Sequence, residues 1–199
     1  MKLLTAFVLT IGIAICQSKP TSEEIAAAIA TGKTYKTGEQ FLKKGLKSKV
    51  KVMLTNACVS RYVTFFGLLD FVAYQSAMAS QQMRELKPEE VQIVGNLYAL
   101  VEYHAQGSLC ANKLPGKTGG AHLVLKTDAG ILQPVDKDTL RTSGTSDLGV
   151  ILGGSGWSGK TTLLFAFDNP GADLMKPVTV VLIDGDGKKY QEKTDLRGV

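Results

Sequence analysis

Val178-Thr179-Val180-Val181-Leu182-Ile183 is followed by Asp184-Gly185-Asp186-Gly187 and then by Lys188-Lys189-Tyr190-Gln191-Glu192-Lys193. The first six residues are mostly β-branched and apolar, the side chains that sit well on a pleated, half-buried surface. The next four carry the Asp-Gly pairs of a tight hairpin turn. The last six bring the chain back. An antiparallel β-hairpin near the C-terminus is therefore the anchor of the fold reading.

Working outward from it, Thr162–Phe167 and Gly149–Leu152 read as further short strands. Ala121–Lys126, the turn Asp128-Ala129-Gly130 and Ile131–Val135 read as a second hairpin. Asn96–Ala105 fits a strand that places Tyr98, Leu100, Glu102 and His104 on one side and Ala99, Val101 and Tyr103 on the other. Short strands separated by turns predict an antiparallel sandwich. Gly107 to Gly120, rich in glycine, reads as a loop and as the best place for a boundary.

The N-terminal half has a different pattern. Thr21 and Glu24 have the spacing of a capping box, and an alanine-rich helix follows, with Gly32 placed to end it. A second short helix is predicted from Gly38 to about Leu46, and a strand over Val50–Leu54. Phe65 to Leu86 is the longest helical candidate, with Leu68, Phe71, Val72, Met78, Ala79 and Met83 on one side. Lys87-Pro88-Glu89-Glu90 reads as a break and a new helical turn. The fold class predicted is α+β: N-terminal helices packed on an antiparallel β-sandwich formed mainly by the C-terminal half. One domain spans 17–199, helical over about 21–95 and sandwich over about 96–199.

Residues 1–16 read as a cleavable signal peptide. Lys2 precedes an apolar run from Leu3 to Ile15, shorter than the roughly 20 residues a membrane span needs. Ala14 and Cys16 give small residues at −3 and −1 for a cut before Gln17, with a cut after Ser18 as the alternative. Cys16 raises lipidation, but the bulky Ile15 occupies the place where a small residue is required. The predicted location is secreted or periplasmic. The formal charge is +5. Its densest run, Lys43, Lys44, Lys47, Lys49 and Lys51, could meet anionic lipid or nucleic acid, but reads first as a solvated face. Without interleaved aromatics, no nucleic-acid partner is expected. After cleavage two cysteines remain, Cys58 and Cys110. In an oxidising compartment they read first as a disulfide pair, with two buried free thiols as the alternative.

Gly154-Ser155-Gly156-Trp157-Ser158-Gly159-Lys160-Thr161 matches the phosphate-binding loop pattern G-x-x-x-x-G-K-[ST]. Such a loop must open a helix whose N-terminal amides hold the phosphates. Thr162 to Phe167 favours a strand instead, and only about 40 residues follow Thr161, too few for the rest of a nucleotide-binding sheet. The reading is rejected, and it makes a clear demand: a helix starting at Gly159 would restore it. Asp184-Gly185-Asp186-Gly187 fails as a calcium loop, because its fifth position is Lys188 and its twelfth Asp195. His104 and His122 with Cys58 and Cys110 lack the paired spacing of a zinc site. Asp70, Glu89, Glu90 and Glu102 could serve acid–base chemistry, Asp70 above all because of its apolar neighbours. Trp157 is a possible partner-contact residue.

No catalytic constellation, metal set or cofactor site is predicted. The leading expectation is an exported, non-enzymatic binding or interaction module for a protein or small-molecule ligand, with no membrane span left after cleavage. The alternative is a small exported hydrolase, which requires Asp70, His104, His122 or Cys58 to converge in one pocket.

Overall fold

The computed structural model describes residues 19–47, 49–55, 58–105, 121–135, 151–153, 160–168, 174 and 176–199. Within them the chain runs α1 (Ser22–Lys33), α2 (Gly38–Lys44), β1 (Val50–Thr55), β2 (Val59–Gly67), α3 (Leu68–Gln81), a 3-10 turn (Pro88–Glu90), β3 (Leu97–Ala105), β4 (His122–Thr127), β5 (Gly130–Leu132), β6 (Ile151–Gly153), β7 (Lys160–Phe167), β8 (Val178–Ile183) and β9 (Lys189–Thr194). All strand pairs are antiparallel. They form a five-stranded sheet in the order β1-β2-β3-β7-β6 and a four-stranded sheet in the order β5-β4-β8-β9. The α+β sandwich with N-terminal helices predicted from the sequence is the fold observed.

The layers follow from strand alternation. On the five-stranded sheet Val52, Val63, Phe65, Ala99, Val101, Phe165 and Phe167 face the second sheet. There they meet Leu123, Leu125, Val178, Val180 and Leu182 in one shared core. The opposite face offers Phe66, Tyr98, Leu100, Leu164 and Ala166 to the helices, which answer with Ile29, Phe41, Phe71, Val72, Tyr74 and Ala77. The order of layers is therefore helices, five-stranded sheet, four-stranded sheet. At the centre of the helical layer Phe71 stacks on Tyr98 with ring centroids 3.8 Å apart.

Burial on both faces explains where the sequence misled. Val59–Gly67 shows no polar alternation, because neither face meets water. The helix expected from Phe65 therefore begins at Leu68, after the extended Gly67, and stops at Gln81. Met83, assigned to its apolar stripe, has φ 55° and is 98% exposed. Two of the sandwich strands thus come from the part expected to be mainly helical. The capping box of α1 is present as expected, with Thr21 and Glu24 bonded reciprocally.

Gly32 does not end α1. It lies within the helix, where a Cβ would stand 2.1 Å from the Ala73 carbonyl oxygen and 2.6 Å from Ser76 Cβ. The missing side chain lets α1 close on α3, and the Ser76 hydroxyl donates to the Ile29 carbonyl across the seam at 2.8 Å. Gly32→Ala is expected to destabilise the fold by roughly 1–3 kcal/mol through overpacking. That outweighs the gain of about 1 kcal/mol in helix propensity. Urea unfolding measures it, and an unchanged midpoint would show that the helices have room to part.

Burial pushes the hydroxyls of Tyr74 and Tyr98 up to about 12. Their folded values exceed the unfolded value near 10. Their contribution to stability is therefore complete below pH 10 and is lost as pH rises towards 12, each shifted pKa unit being worth about 1.4 kcal/mol. Unfolding free energy should fall steeply over that interval, with a late step in tyrosinate absorbance. Ionisation of all six tyrosines in a single step near pH 10, with the fold intact, would contradict this.

Candidate functional site

Arg61 sits on β2 between Val59 and Val63, so alternation aims it between the sheets. A guanidinium enclosed there needs a partner and filled hydrogen bonds. Asp184, the first residue after β8, supplies both. Its Oδ2 accepts from Arg61 Nε at 3.0 Å and from Nη2 at 2.5 Å. Arg61 Nη1 donates to the Val59 carbonyl at 2.8 Å. The Tyr103 hydroxyl donates to Asp184 Oδ1 at 3.1 Å. The guanidinium carbon lies 4.0 Å from the Tyr190 ring centroid, a cation–π contact. Arg61 is 3% exposed and Asp184 8%.

Burial pushes the Tyr103 hydroxyl far above its usual range, and the Asp184 carboxylate adds to the shift. Tyr103 therefore stays protonated and remains a donor. Asp184 also ties its own hairpin, its N–H donating to the Lys188 carbonyl and its carbonyl accepting from Gly187. The arrangement fastens the β8–β9 hairpin to the middle of the five-stranded sheet. Both carboxylate oxygens are already bonded, so the cluster is built to hold rather than to react.

The residues singled out in the sequence are dispersed. His104 points to the helix side of the five-stranded sheet, where it meets Tyr62 edge to face at 5.2 Å. Lys51 Nζ lies 4.2 Å from the centroid of the same Tyr62 ring. His122 opens β4 and is exposed on the outer face of the other sheet. Packed sheets lie about 10 Å apart, so the sandwich itself separates the two histidines. Asp70 stands in the first turn of α3, at the far end of β2, where its Oδ1 accepts from the Lys47 backbone N–H at 3.4 Å. Glu90 accepts from the Lys87 N–H and from Arg84. The convergence that a hydrolase requires does not occur among these residues.

Of the expected Cys58–Cys110 pair, only Cys58 is among the described residues. Cys110 lies outside them. Cys58, just ahead of β2, is half-buried against the shared core and is disulfide-bonded rather than a free thiol. Trp157 and Gly154–Gly159 also lie outside the described residues. Lys160 and Thr161 open strand β7, paired with His104 and Tyr103. A strand where a phosphate-binding loop needs a helix ends the nucleotide reading. Among the described residues no group of three or more His, Cys, Asp or Glu could hold a metal ion. Nor is any described helix long and apolar enough to cross a membrane.

The outer face of the four-stranded sheet is different in kind. The helices pack on the other sheet; on this face Val181, at its centre, is buried, while the lysines around it are exposed. Alternation directs His122, Val124 and Lys126 of β4 outward, with Thr179, Val181 and Ile183 of β8 and Lys189, Gln191 and Lys193 of β9. Lys126, Lys189 and Lys193 are exposed and make no salt bridge among the described residues. Sequence reasoning missed this face because its lysines are scattered over two strands and meet only when the sheet forms. No protein family, curated protein or solved structure matches the chain.

Asp184→Ala would leave the Arg61 charge buried and unanswered, and should cost about 3–5 kcal/mol. The double substitution Arg61→Met with Asp184→Leu should recover most of that, because it removes the charge along with its partner. Urea unfolding of Arg61→Met, of Asp184→Leu and of the double variant gives the coupling. Additive losses would show that the pair does not act as a unit.

Proposed function

We propose that the chain is exported and works as a non-enzymatic binding module, meeting its partner on the outer face of the four-stranded sheet. The observation that carries this reading is the set of exposed, unpaired lysines on the one sheet face that the helices leave uncovered. A surface charge with an internal partner is compensated. Lysines without one are free to meet a partner's charge. The dispersal of Asp70, His104 and His122 supports binding over catalysis. Export rests on the signal pattern of residues 1–16 and places the module in a secreted or periplasmic setting.

Two measurements test this together. The chain is expressed with its own N-terminus, recovered from the export compartment and weighed intact. Loss of residues 1–16 is the expected result, and an uncleaved chain retained in the cytoplasm would contradict export. The recovered protein is then offered chromogenic ester, phosphate and glycoside substrates. No turnover above background is expected. Turnover that His104→Ala or His122→Ala abolishes would overturn the binding reading in favour of a hydrolase.

A further inference from the structure

The strand registers arrange the outer face in three cross-strand rows. Lys126, Thr179 and Lys193 form one, Val124, Val181 and Gln191 the next, and His122, Ile183 and Lys189 the third. Two strand spacings separate Lys126 from Lys193, about 10 Å at the backbone. The first and third rows are basic, Val181 at the centre of the middle row is 1% exposed, and none of the rows contains a carboxylate. Asp128, in the turn after β4, is near enough to feel Lys193, but it is salt-bridged to Lys176 at 2.9 Å. Beside the first row Ile131 pairs with Lys126 and is 59% exposed, its side chain standing out from the same face.

We propose that this face binds the surface of an anionic phospholipid bilayer, with the lysines on headgroup phosphates and Ile131 entering the acyl boundary. The inference rests on the binding-module reading and names the module's partner. Charge complementarity selects an anionic surface, since a polybasic face is drawn to anionic lipid. The protruding Ile131, 59% exposed beside the lysines, selects a bilayer over a linear polyanion. A nucleic-acid strand would want stacking aromatics, and these rows contain none.

The test uses mature chain 17–199 floated with phosphatidylglycerol–phosphatidylcholine vesicles and with pure phosphatidylcholine vesicles. Binding to the first and not the second is expected, weakening as salt is added. Replacing Lys126, Lys189 and Lys193 together by Gln should weaken it by about a hundredfold, since each lysine near an anionic surface gives about a fivefold effect. Ile131→Ser should weaken it further at unchanged salt dependence. Circular dichroism and the melting temperature keep the triple variant interpretable. A second variant, Lys44→Gln with Lys47→Gln on the helical side, should bind like the parent. Equal binding to both vesicle types, full binding by the triple variant, or loss of binding in the helical-side variant would each overturn the proposal. So would retention on heparin or DNA without vesicle binding. If vesicles are not bound while the intact mass and substrate tests come out as expected, the lipid assignment fails and the module reading stands. Histidine-dependent turnover would remove the module reading itself.

Discussion

A guanidinium shut between two sheets has no water to turn to, and the rest of this sandwich is arranged around the carboxylate that answers it. Arg61 belongs to the second strand of the five-stranded sheet, and Asp184 to the turn between the last two strands of the other. Their bond joins positions 123 residues apart in the chain. Hydrophobic burial brings the sheets together but is indifferent to small slides between them. A buried ion pair is not indifferent, because any slide that separates the partners strands both charges. Tyr103 and Tyr190 narrow the geometry further, one bonding the carboxylate and the other lying under the guanidinium.

That fixed relation has a consequence for the surface. The β8–β9 hairpin carries Lys189 and Lys193, and β4, paired with β8, carries Lys126. Fastening the hairpin from inside holds their backbone positions in register outside. On the opposite side the five-stranded sheet is occupied by the helices, closed by Gly32 against Ala73 and by the Phe71–Tyr98 stack. The molecule thus has one sheet covered by its own helices and one sheet whose other face carries exposed lysines with no salt bridge among the described residues.

Much of this architecture was legible in the chain. The Val178–Ile183 strand, its Asp-Gly turn, the β4–β5 hairpin, the facing of Asn96–Ala105 and the Thr21–Glu24 cap all follow from local patterns, and each is present. The misreadings share a physical cause. Val59–Gly67 is buried on both faces, so the alternation that announces a strand is absent, and from the sequence its aromatic end runs on into the helix that follows. Gly32 read as a stop signal because a glycine in a helix usually marks an end, whereas here it serves close packing with a helix distant in sequence. The interior cluster was not legible at all. Arg61 and Asp184 are far apart in the chain, and Asp184 looked like nothing more than a turn residue. The residues that did look chemical, His104 and His122, were separated by the very sandwich that their strands build.

Arg61 and Asp184 hold the two sheets in place. Amide hydrogen exchange in the Asp184→Asn variant, compared with the parent, addresses this most directly. The predicted result is a loss of protection concentrated in β8, the Asp184–Lys188 turn and β9, with α1 and α3 exchanging as before. Unchanged protection in the hairpin, or a uniform loss across both sheets and the helices, would contradict it.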